Sequence, residues 1–110
     1  MFTQSVPNAA GFALACQTDK GIPPEIDYLA LRRAEDVAAC AILGATCVHL
    51  PFLEAPHRGY DDAAALFDAR LPADGAVEAV TSALTTLIAA VDPDRLFGPA
   101  GVGDHVDHHV

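Results

Sequence analysis

Three histidines and two aspartates fall within six residues of this 110-residue chain, in Asp104-His105-Val106-Asp107-His108-His109, just behind Gly101 and Gly103. Neutral imidazole nitrogen and carboxylate oxygen are donors that zinc accepts, and a catalytic zinc usually takes three such protein ligands plus a water. The spacing predicts a helix beginning near Asp104, with His105 and His108 at i and i+3 on one face and Asp107 elsewhere. Gly101 and Gly103 would shape the entry turn. A helix N-terminus disfavours imidazolium, so these histidines would stay neutral, the state required of a metal ligand or a hydrogen-bonding electrophile. Composition alone gives equal weight to a solvated tail with adventitious metal affinity.

A second chemically loaded stretch runs over residues 51–62 and holds Glu54, His57, Arg58, Asp61 and Asp62. The guanidinium of Arg58 offers a rigid fork of donors to sugar hydroxyls or to a phosphate, which a lysine does not reproduce. His57 reads as an exposed loop histidine. His49, inside an apolar run, reads as a core or sheet-face residue.

Both stretches must be held by regular elements. Pro7, Asn8, Gly11, Gly21, Pro23 and Pro24 mark residues 4–24 as a long loop with a short apolar insert at Phe12-Ala13-Leu14-Ala15. A helix follows, with Ile26, Ala30, Ala34, Val37, Ala38 and Ala41 as its apolar or small positions and Gly44 as its end. On its flank Arg32 can pair with Glu35 and Asp36, worth a few tenths of a kcal/mol if exposed. Residues 46–50 read as a buried strand closed by Pro51, and residues 61–69 as a short helix. Asp74 is placed to cap a clearer helix, in which Val77, Val80, Leu84, Leu87, Ile88 and Val91 recur at steps of three and four. Arg95-Leu96-Phe97 reads as a last short strand. This alternation predicts an α/β fold, part of a Rossmann-like parallel sheet flanked by helices. Ligands of such folds lie beyond the carboxyl ends of the strands, so both loaded loops are expected at one sheet edge.

Composition excludes several classes. The chain is 52% hydrophobic with a mean hydropathy of +0.28, too apolar for intrinsic disorder. Its net charge of -9 argues against non-specific binding to nucleic acid or to an anionic membrane. There is no apolar run long enough for a membrane span and no basic, hydrophobic leader at the start, which together suggest a soluble cytoplasmic protein. Cys16, Cys40 and Cys47 are odd in number and lack Cys-x-x-Cys spacing, so they read as small buried residues rather than disulfides or thiolate ligands.

The run Gly98-Pro99-Ala100-Gly101-Val102-Gly103-Asp104-His105-Val106-Asp107-His108 resembles the second signature of the LmbE-like, PIG-L type N-acetylglucosaminyl deacetylases. Residues 32–45, Arg-Arg-Ala-Glu-Asp-Val-Ala-Ala-Cys-Ala-Ile-Leu-Gly-Ala, are similar to that family's Arg-x-x-Glu helix ending in Leu-Gly. Arg58 stands where the family has a substrate-contacting arginine. The resemblance covers about the whole chain, with the last motif the most specific. The family's first signature, Ala-His-Pro-Asp-Asp-Glu, is not present in the sequence, so the chain resembles an internal part of a deacetylase domain without its first strand and its C-terminal part. What the resemblance implies is zinc-dependent hydrolysis of an N-acetyl group from an N-acetylglucosamine-containing small molecule or glycoconjugate, with iron as another possible metal. His108 would be a metal ligand, His105 would stabilise the oxyanion, Asp107 would orient a histidine and Arg58 would contact substrate. A single expected ligand leaves the chain inactive by itself. The alternatives are a non-catalytic sugar-binding module or an interaction protein derived from the same fold.

Overall fold

The computed structural model describes residues 2–110, which divide into two compact units, Met1–Asp62 and Ala63–Val110. The helices are α1 (Gly11–Thr18), α2 (Tyr28–Leu43) and α3 (Ala76–Val91), with single 3₁₀ turns at Ala55–His57 and Ala65–Phe67 between α2 and α3 and at Val106–His108 after α3.

Among the described residues there is no β-strand. The expected α/β architecture with a Rossmann-like parallel sheet is therefore overturned. The nearest feature is an isolated antiparallel bridge between Phe2 and Pro51, flanked by hydrogen bonds from Thr3 Oγ1 to the Leu50 carbonyl (2.8 Å) and from Gln4 N–H to the Phe52 carbonyl (3.1 Å). Residues 46–50 and 95–97 have strand-like composition, yet a parallel strand exists only between extended neighbours and under helical cover. Here they have neither: Val48 is 53% exposed and Phe97 91%. Composition signalled burial that the fold does not supply.

In the first unit, α2 forms where it was expected. Asp27 is its N-cap and accepts from the Ala30 N–H at 2.8 Å. At the other end Gly44 adopts the left-handed conformation (φ 66°), and the N–H groups of Gly44 and Ala45 close on the Ala41 and Cys40 carbonyls. Arg33 ties α2 to the start of the chain by donating to the Thr3 carbonyl and the Ser5 hydroxyl. Arg32 and Glu35 pair at 2.5 Å with both side chains half exposed, so this pair contributes little. Helix α1 corrects the expectation of a continuous loop over residues 4–24: it packs on the Ala55–His57 turn and buries Gln17. Leu29, Ala55 and Tyr60 form the buried apolar residues of this unit.

In the second unit, α3 places Ala76 and Val80 inside, with Leu84 and Leu87 half-buried on the same stripe. Asp74 is buried and accepts from the Ala76 N–H at 3.0 Å, although Gly75 occupies the cap position itself. The helix expected over residues 61–69 shrinks to the Ala65–Phe67 turn. Val106, 1% exposed, is the other anchor of this unit.

Candidate functional site

The terminal His/Asp cluster is built on one tight turn. Gly101, Gly103 and Asp104 all have positive φ (65°, 110° and 54°), and the 3₁₀ turn starts at Val106, two residues beyond the expected helix start. His105 caps that turn through its own ring: Nδ1 accepts the Asp107 backbone N–H at 3.1 Å. An amide N–H can only donate, so Nδ1 carries the lone pair and a neutral ring carries its proton on Nε2. The ring lies edge-on to Phe67 (5.4 Å between centroids, 89°) and 5.6 Å from the ring of His108. The predicted i, i+3 pairing of His105 with His108 thus survives, although by a cap and a single turn rather than a helix.

Val106, buried between the two histidines in sequence, anchors the turn, while His108 is exposed. Gly101 lies so close that a Cβ there would stand 3.2 Å from the His108 carbonyl oxygen. Asp107 is half-buried, and the group with which it positions His105 is its main-chain N–H. His109 lies 3.3 Å from Asp104, whose side chain is 90% exposed, so this contact is weak.

The donor chemistry does not assemble a metal centre here. Among the described residues no group of three or more histidine, cysteine, aspartate or glutamate side chains is gathered so as to hold a metal ion. Nδ1 of His105 is already engaged by an amide proton. The chain's own residues therefore do not fit an open three-ligand zinc site.

Arg58 belongs to the first unit. Its Nη1 donates to the Leu53 carbonyl at 2.7 Å, and its guanidinium lies 5.1 Å from the Phe2 ring and 5.7 Å from the Tyr60 ring. It is half-buried and braces the 51–62 loop through these contacts. The sheet edge expected to bring the two loaded loops together is not formed.

The first unit also contains what sequence reasoning missed: a cavity of about 290 Å³ bounded by α1, the start of α2 and the Ala55–His57 turn. His57 lines it, and burial lowers that imidazole's pKa below the ordinary histidine value. Asp27 lines it too; its carboxyl is held below the usual range by the Ser5 hydroxyl, then by the Ala30 N–H. The signal was present in Ala13, Cys16 and Gln17, spaced i, i+3 and i+4 on one face of α1, but the surrounding glycines and prolines obscured it.

A third grouping is inert. His49, expected in a core or on a sheet face, instead sits half-buried with Nε2 3.3 Å from both Cys47 Sγ and Asp36 Oδ2. Both partners share one ring nitrogen, so Asp36 does not orient a base toward the thiol as a catalytic relay requires. Burial first, and then the Cys40 thiol and the Asp36 charge, push the Cys47 pKa up and keep it protonated. All three cysteines are free and half-buried.

The chain is 40% identical over 78 residues to the 2'-N-acetylparomamine deacetylase of Streptomyces fradiae, a match that takes in 70% of this chain and 28% of that enzyme. It therefore spans well under half the length of that relative. The chain matches no family model and no solved structure. No helix among the described residues is long and apolar enough to cross a membrane.

Proposed function

We propose that this chain is part of an N-deacetylase of the LmbE-like, PIG-L type that hydrolyses the acetamide of an N-acetylglucosamine-containing substrate. The observation that carries the proposal is the 40% identity over 78 residues to the 2'-N-acetylparomamine deacetylase of Streptomyces fradiae. The geometry of His105 agrees with it. A neutral ring whose Nδ1 is saturated by an amide N–H offers Nε2–H as a donor, which suits an oxyanion forming at the acetamide carbonyl. In this reading His105 is the catalytic donor, the Asp107 backbone N–H is its positioning group and Arg58 contacts substrate. His108 is the exposed imidazole available to a zinc or iron ion of the intact enzyme, where bound metal would activate water. Because the donors present do not make that site, no step is routed through it, and the 110-residue chain by itself releases no acetate.

The test is a chimera of the Streptomyces fradiae enzyme carrying this chain in place of its corresponding stretch. The chimera deacetylates its substrate, and His105→Ala within it lowers kcat by about 10²–10³-fold with little change in KM. Full activity of the alanine variant would overturn the role given to His105; an inactive but folded chimera would overturn the deacetylase reading. A second reading is a non-catalytic sugar-binding module, in which the half-buried Arg58 and its loop supply the sugar contacts. It expects the folded chimera to bind substrate without turnover.

A further inference from the structure

We propose that Phe67 is a positioning residue for the deacetylation: its ring holds the His105 imidazole at the angle from which Nε2–H donates to the oxyanion. The role rests on His105 being that donor. A side-chain donor stabilises a forming oxyanion only when its direction is held to within about 10–20°. His105 stands at the start of a single turn, and the bond from the Asp107 N–H to Nδ1 (3.1 Å) is one restraint on a side chain with two rotatable bonds. One hydrogen bond leaves the ring free to tilt about it, and tilting swings Nε2–H away from its target. A second restraint has to come from outside the turn.

Phe67 supplies it from a distant part of the chain. Its ring stands perpendicular to the His105 imidazole, with 5.4 Å between centroids and 89° between planes. That separation and angle are the ones edge-to-face aromatic pairs prefer. The His108 ring is 5.6 Å from His105, but it is exposed and belongs to the same turn, so it moves with the group it would have to hold. The Ala65–Phe67 turn has little part in the core. It buries no residue, and Phe67 itself is 58% exposed. Its backbone is nevertheless fixed: the Phe67 N–H donates to the Ala64 carbonyl at 3.0 Å, and Asp68 then leaves in an extended conformation. A lone exposed phenylalanine needs no explanation. One set at a right angle against the donor ring is placed to restrain it.

Two measurements test this, and the first requires no turnover. In the 110-residue chain, Phe67→Leu keeps an apolar side chain but removes the ring; the position is exposed, so the fold stays intact by circular dichroism. The χ1 couplings of His105 then average over rotamers, and the Asp107 amide exchanges faster by roughly two- to tenfold, the weight of one aromatic pair. Phe67→Tyr keeps the ring and matches wild type in both. In the Streptomyces fradiae chimera, Phe67→Leu lowers kcat by the same factor at unchanged KM, because the ring acts through His105, and Phe67→Tyr restores it. In a His105→Ala background Phe67→Leu has no further effect on kcat. A His105 ring as ordered in Phe67→Leu as in wild type would overturn the proposal. So would an unchanged kcat, a change confined to KM, a tyrosine variant as impaired as the leucine one, or a further loss in the absence of His105. An inactive chimera overturns the deacetylase reading instead, and the couplings still decide whether Phe67 holds His105.

Discussion

Replacing Asp27 separates two contributions that meet in one carboxylate. The side chain caps α2 through the Ala30 N–H, and its pKa is lowered by the Ser5 hydroxyl, that same N–H and the Arg33 charge. Removing an aspartate N-cap costs about 1 kcal/mol, within a span of roughly 0.5–2. Asp27 is largely exposed, so the charge contribution from Arg33 is small beside the cap. Asp27→Ala therefore lowers stability by about 1 kcal/mol, a fall in Tm of roughly 4–8 °C for a domain of this size. Asn caps as well as Asp, so Asp27→Asn keeps most of that stability at neutral pH. The two variants also differ from wild type in pH dependence. A carboxyl whose folded pKa is depressed contributes stability that is complete above its unfolded value, near 3.9, and is lost as pH falls through the folded pKa. Wild type thus loses an increment in acid that Asp27→Asn lacks. Urea melts of the three proteins at pH 7 and pH 3, with amide exchange over the first turn of α2, measure both effects. The reasoning fails if Asp27→Ala melts with wild type, or if Asn costs as much as Ala.

Gly101→Ala places a side chain in the left-handed region and a Cβ 3.2 Å from the His108 carbonyl; it costs about 1–2 kcal/mol for the backbone conformation alone and shifts the His105 and His108 ring resonances. Nitrogen-15 NMR at pH 8 finds His105 as the Nε2–H tautomer, because the Asp107 amide occupies Nδ1. His57, its pKa depressed by burial, titrates below the ordinary value of about 6.5; since the unfolded chain binds that proton first, His57 subtracts stability as pH falls below 6.5 and stops doing so beneath its folded pKa. Arg58→Lys loses the planar fork that meets the Leu53 carbonyl between two rings and lowers stability by about 1 kcal/mol in thermal melts.

Local chemistry was legible where its cause is local. The apolar spacing of α2 and α3 was legible, and Gly44 ends α2 because its φ of 66° suits a residue without a Cβ, whereas the cap that Asp27 supplies to α2 was not read and Gly75 stands at the α3 cap expected of Asp74. The proximity of His105 to His108 follows from three residues of chain and a tight turn. The sheet was a different kind of inference. Residues 46–50 and 95–97 have the side chains of strands, but a strand is defined by hydrogen bonds to another segment, and among the described residues only the Phe2–Pro51 bridge makes such a pairing.

The sequence by itself determined α2 and α3, the nearness of His105 to His108, and the resemblance to a deacetylase, because each rests on residues within a few positions of one another. Tertiary structure alone decided three other matters. The apolar segments have no ladder to join, the loop before Pro24 contains a helix that closes a cavity against the Ala55–His57 turn, and the donors of the terminal cluster do not gather into a metal site. Each depends on which distant groups come within a few ångströms, and neither composition nor spacing encodes that distance.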